Sequence, residues 1–177
     1  MMDEKEMKTN IVLIGMPSCG KSTVGVLLAK RLGMSFLDSD LLIQEREGRL
    51  LHDIIREDGI DGFIRVENEV NAAIRAERTV ISTGGSVIYG EEAMEHLCSI
   101  GTVIYLQIGY ETLVERLGDY VHRGVVLPDG YTLRDMYDER SKLYERYADL
   151  TVRESRDTSL GETLEETLAL YKKHLAL

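Results

Sequence analysis

Apolar and polar positions alternate along this chain in two registers. Short runs at 10–14, which is rich in β-branched residues, and at 35–37, 79–82, 101–106 and 150–152 read as strands. Between them lie stretches of helical period at 24–32, 50–56, 63–75, 91–98, 110–117, 132–147 and 160–174. Gly33 stands where the first helix should stop, and Gly48, Gly59 and Gly62 break the long helical stretch between 41 and 76 into pieces. Residues 118–130 show no helical period and read as a mobile loop. Strands alternating with helices predict an α/β fold, a parallel sheet covered on both faces. Right-handed crossovers then bring the ends of the strands, and the segments 15–23, 38–40 and 83–86 that follow them, to one edge.

The first of those segments is the most informative. Gly15-Met16-Pro17-Ser18-Cys19-Gly20-Lys21-Ser22-Thr23 fits the spacing G-x-x-x-x-G-K-[ST], between a predicted strand and a predicted helix. Gly15 and Gly20 allow backbone angles that turn successive N–H groups inward around a phosphate chain. The helix N-terminus adds partial positive charge at the same place. Lys21 can reach the β- and γ-phosphates, and the Ser22 hydroxyl can meet Mg²⁺. Gly15, Ser18, Cys19, Gly20, Lys21, Ser22 and Thr23 are therefore the expected nucleotide contacts. Cys19, beside a lysine and a helix N-terminus, sits where a thiol pKa can be lowered, or is simply a small residue at a variable position.

Composition narrows the field. A length of 177 residues predicts a single domain, residues 1–177, with a sizeable core. A net charge of −10 argues against nucleic acid as a partner, because phosphate contacts need clustered Lys and Arg. Two cysteines without a C-x-x-C pattern, no apolar run of membrane-spanning length and no signal-type apolar stretch near residue 1 lead to the expectation of a cytoplasmic protein.

Further along, the chain carries Leu32-Gly33-Met34-Ser35-Phe36-Leu37-Asp38-Ser39-Asp40, Gly48-Arg49, the Phe63/Glu67 pair, Thr83-Gly84-Gly85, Arg123 and Arg140-Ser141-Lys142-Leu143-Tyr144. With the phosphate loop, these motifs in this order resemble the shikimate kinase family from about residue 10 to residue 152. The resemblance implies a three-layer αβα P-loop kinase fold with a five-stranded parallel sheet in the order 2-3-1-4-5. It also implies substrate-binding helices at about 41–76 and a mobile lid at about 118–131. It implies ATP- and Mg²⁺-dependent transfer of a phosphoryl group to a hydroxyl of a small metabolite. In the family that is shikimate going to shikimate 3-phosphate, a step of aromatic amino acid biosynthesis. A monomer is expected.

By the same resemblance Asp38 helps hold Mg²⁺ with Ser22, and Asp40 binds the substrate hydroxyls and orients or deprotonates the attacking oxygen. Gly84 and Gly85 approach the substrate through their backbone, Arg116 lies against adenine, Arg123 closes from the lid, and Arg140 clamps the substrate carboxylate. Lys21, Asp40 and Arg123 are the expected catalytic residues. The residues also admit other readings: Asp40 as N-cap of a helix starting at Leu41, and Arg116 as a partner of Glu111 or Glu115. Arg65 is expected to pair with Glu69 at i+4.

Three positions depart from the family pattern. A Phe-Arg pair becomes Phe63-Ile64, Gly-Gly-Gly becomes Gly84-Gly85-Ser86, and the lid's Arg-Pro-Leu becomes Arg123-Gly124-Val125. The first removes a carboxylate-clamping arginine; Arg65 is adjacent, but one residue along a helix turns a side chain by about 100°. Three functions stay open: a kinase of shikimate, a kinase of another small polyol lacking the carboxylate, and a nucleotide-binding regulatory module without catalysis.

Overall fold

The computed structural model describes residues 8–118, 125 and 127–176. Five parallel strands, β1 (Asn10–Ile14), β2 (Ser35–Asp38), β3 (Thr79–Ser82), β4 (Gly101–Gln107) and β5 (Leu150–Arg153), form one sheet in the order β2-β3-β1-β4-β5. The central strand β1 is buried along its whole length and pairs Leu13 with Ser82 on one side and with Ile104 on the other. A strand flanked on both edges and covered on both faces favours apolar residues, which is why Ile11–Ile14 is an unbroken apolar run, with the buried Asn10 amide satisfied by the Ala76 and Ile100 carbonyls.

Seven helices accompany the strands: α1 (Lys21–Leu32), α2 (Ser39–Glu47), α3 (Leu51–Ala72), α4 (Glu91–Ile100), α5 (Tyr110–Leu117), α6 (Leu133–Tyr147) and α7 (Leu160–Leu175). The contacts put α1 with α7, and α3 with α4, whose own contacts run to β1 and β4. Among the described residues no helix is long and apolar enough to cross a membrane.

Strand and helix positions follow the predicted pattern, with one substantive difference. The two helices expected at 50–56 and 63–75 are one element, α3, kinked at Gly59, whose φ of 74° and ψ of 178° are open almost only to glycine. Gly62 is an ordinary helical residue: its bare Cα lets the preceding turn pack closely, since a Cβ there would lie 2.7 Å from Asp58 Cβ. A single 3₁₀ turn, Val87–Tyr89, follows the loop after β3. The main core wraps the sheet. A smaller one, built from Ile43, Ile54, Phe63, Val66 and Val70, lies between α2 and α3.

Candidate active site

The loop between β1 and α1 takes the conformation its glycines permit. Gly15 and Gly20 have φ of 151° and 96°. At Gly15 a Cβ would stand 2.7 Å from the Leu106 carbonyl oxygen, so only glycine fits. Ser18 also has positive φ, 60°, which its residue type did not announce. The Lys21 Nζ curls back over the loop and donates to the carbonyl oxygens of Gly15 and Met16, each at 2.8 Å. Cys19 is buried, and burial pushes its thiol pKa up against the lowering influence of Lys21. The idea of an activated thiol in the loop is thereby corrected: desolvation wins over the lysine and the helix terminus.

Beside the loop, the end of β2 delivers an acid to the first turn of α1. Ser22 Oγ donates to Asp38 Oδ2 at 2.7 Å and lies 3.2 Å from Ser82 Oγ. The other oxygen of Asp38 accepts the Asp40 N–H at 3.0 Å, which makes Asp38 the N-cap of α2. This corrects the alternative in which Asp40 caps: the helix starts two residues earlier than its apolar pattern suggests. A hydroxyl and a carboxylate this close form the kind of oxygen pair that suits Mg²⁺.

Asp40 is thus released from capping duty. Its Oδ1 is buried with no hydrogen-bond partner. Burial first, and the charge of Asp38 second, raise its pKa to about 6, with Lys21 opposing. It opens on a cavity of about 430 Å³ that Gly84, Gly85, Ile64, Glu67 and Arg140 also line. A Cβ on Gly84 would collide with Glu67 Oε1 and lie 2.9 Å from Asp40 Oδ1; one on Gly85 would lie 3.2 Å from Arg140 Nη1. Gly84 is therefore held to glycine by close approach, and a side chain at Gly85 would press on Pro17 and Arg140.

Glu67 is 1 % exposed. Ser86 Oγ donates to its Oε2 at 2.5 Å, while its Oε1 has no partner. Burial raises its pKa to about 7, with Ser86 opposing and Asp40 adding to the rise. Ile64 faces this cavity where the resemblance had an arginine, and Arg65 is exposed on the outside of α3. Arg65 does not make the expected pair either, because Glu69 accepts from Arg46 at 2.5 Å. Arg140 Nε is buried without a partner, and no ion pair of Arg140 occurs among the described residues.

Arg116 donates to Glu154 Oε2 at 3.0 Å, not to Glu111 or Glu115. The distant acid wins because the end of β5 brings it beside α5, where it is buried and needs a partner. Arg123 and half of the expected lid lie outside the described residues. Sequence reasoning missed Tyr89, Tyr131 and Glu139, which join at the cavity rim: Tyr89 Oη and Tyr131 Oη each donate to Glu139 at 2.5 Å. Nothing in periodicity points to three polar residues on separate elements.

Comparison with known proteins was made against this geometry. A family model described as shikimate kinase matches residues 17–172. A shikimate kinase of Methylococcus capsulatus is 38% identical over 148 residues, 82% of this chain and 83% of that protein. One of Mycobacterium avium is 40% identical over 153 residues, 85% of this chain and 86% of that protein. Among solved structures, a shikimate kinase from Acinetobacter baumannii in complex with shikimate superimposes with a TM-score of 0.80 at 30% identity, covering 97% of this chain and 95% of that one.

Proposed function

The chain belongs to the shikimate kinase family, and from that membership we propose that it transfers the γ-phosphoryl group of ATP to a hydroxyl of shikimate. The observation that carries this reading is the arrangement at one sheet edge. A phosphate loop, an oxygen pair for Mg²⁺, and a cavity holding both the partnerless Asp40 oxygen and Arg140 lie side by side.

Phosphoryl transfer is mostly positioning and neutralisation of charge. The loop N–H groups and Lys21 hold the phosphates, with Ser18, Cys19 and Thr23 in the same loop and first turn. Ser22 and Asp38 would hold Mg²⁺, which would neutralise charge on the phosphate oxygens. Asp40 accepts a hydrogen bond from the acceptor hydroxyl. As that oxygen bonds to the γ-phosphorus and the bond to the bridging oxygen of ADP breaks, the hydroxyl proton passes to Asp40. Gly84 and Gly85 let the acceptor lie against the backbone, Arg140 pairs with its carboxylate, and Arg116, held by Glu154, lies against adenine. Arg123 closes the site from the lid, which excludes water from the phosphoryl group. A monomer is the expected state, and sedimentation velocity measures it directly.

A second reading rests on Ile64 alone. With one arginine at the cavity among the described residues, a polyol lacking the carboxylate is the competing acceptor. Turnover of ATP and Mg²⁺ with shikimate and a panel of neutral polyols separates the two. Shikimate turning over at a micromolar-to-millimolar KM supports the first reading; turnover with a neutral polyol alone supports the second. A Lys21→Ala variant with undiminished activity overturns both.

A further inference from the structure

We propose that Tyr89, Tyr131 and Glu139 are a positioning set that keeps the Arg140 guanidinium available to the acceptor. The proposal rests on the reading of Arg140 as the contact for the acceptor carboxylate.

Glu139 and Arg140 are neighbours on α6 and both border the cavity. Adjacent helix side chains start about 100° apart, but both of these end at the cavity, and an ion pair between them there would take the Arg140 charge from the acceptor. The pair is not made. Glu139 Oε1 accepts from Tyr89 Oη and Oε2 from Tyr131 Oη, each at 2.5 Å, so both oxygens are occupied by phenols. The bonds from Tyr131 and then Tyr89 hold the Glu139 carboxyl below its ordinary range, so it stays ionised with both oxygens taken by phenols.

Tyr89 acts a second time through its ring. The Arg140 Cζ lies 5.4 Å from the ring centroid, a cation–π contact that supports the guanidinium without neutralising it. Arg140, with no ion-pair partner among the described residues and with the neutral phenols of Tyr89 and Tyr144 against it, therefore presents its charge next to Gly85. Ile64 makes this matter more, because among the described residues no second arginine lines the cavity to share the carboxylate. Tyr131 stands just ahead of the N-cap of α6, at the end of the segment 118–131.

The test compares shikimate KM, ATP KM and kcat across a set of variants whose folding is checked by thermal melting. Tyr89→Leu removes ring and hydroxyl and is expected to raise shikimate KM by roughly tenfold, with ATP KM within about twofold of wild type. The double variant Tyr89→Phe/Tyr131→Phe keeps both rings packed but frees Glu139, and is expected to raise shikimate KM several-fold. Adding Glu139→Gln to that double variant removes the competing charge and is expected to restore the KM; a merely structural role would give no such rescue. Absence of rescue, or equal rises in both KM values, overturns the proposal. If Arg140→Ala raises shikimate KM while the phenol variants do not, the positioning set alone fails. If Arg140→Ala leaves shikimate KM unchanged, the reading of Arg140 fails and the proposal with it.

Discussion

An anionic acceptor held by two guanidiniums is bound through parallel charge-assisted hydrogen bonds, and Ile64 removes one guanidinium from the wall of the cavity. A hydrogen bond to a charged group contributes roughly 1.5–3 kcal/mol, about one to two orders of magnitude in affinity. Ile64→Arg is therefore expected to lower shikimate KM by at least about tenfold while leaving ATP KM unchanged, measured by steady-state kinetics with each substrate varied. The new arginine would also meet Glu67, whose Oε1 has no partner. Glu67 gives a second prediction, with a sign set by burial. Its folded pKa, about 7, lies above its ordinary value of 4.5. Below about pH 4.5 the group is neutral folded and unfolded and costs nothing; as pH rises through 7 the buried group must ionise, and stability is lost. Glu67→Gln escapes that loss. Its melting temperature relative to wild type is expected to rise between pH 5 and pH 8, by the equivalent of on the order of 2 kcal/mol.

Elements carry the next constraint, because the acceptor residues reach the cavity through the bend in α3. Phe63, Ile64 and Glu67 all follow Gly59, so the kink aims them. A Cβ at Gly59 meets nothing within 4 Å, which leaves backbone strain as the whole cost of a substitution. Gly59→Ala is expected to destabilise by roughly 1–3 kcal/mol and to lower the melting temperature by several degrees. Shikimate KM should rise with it and ATP KM should not, since the phosphate loop lies on a different element. Two glycines three residues apart looked alike in sequence as helix breakers. One is a kink and the other a packing position, and the difference lies in φ, which composition does not encode. Arg49 supports the same junction, donating to Glu47, Glu57 and Asp58.

Across the whole molecule, the parallel sheet puts the ends of β1, β2 and β3 together, and with them the donor and acceptor halves of the site. A ligand that bridges these strand ends stabilises the entire domain by mass action, about 2.7 kcal/mol at a hundredfold excess over Kd. Saturating Mg²⁺ and ATP are thus expected to raise the melting temperature by roughly 5–10 °C, an effect that Lys21→Ala should abolish. The sequence by itself determined the strand and helix periods and the phosphate loop. It also determined the placing of Asp38, Asp40, Gly84 and Gly85 at strand ends, because local backbone chemistry and alternation of apolar residues are written residue by residue. Tertiary structure alone decided that Asp38 and not Asp40 caps α2, that burial raises the Cys19 thiol, and that Arg116 meets Glu154. It alone joined Tyr89, Tyr131 and Glu139 beside Arg140. Those outcomes depend on desolvation and on contacts between residues far apart in the chain, and neither exists until the chain is folded.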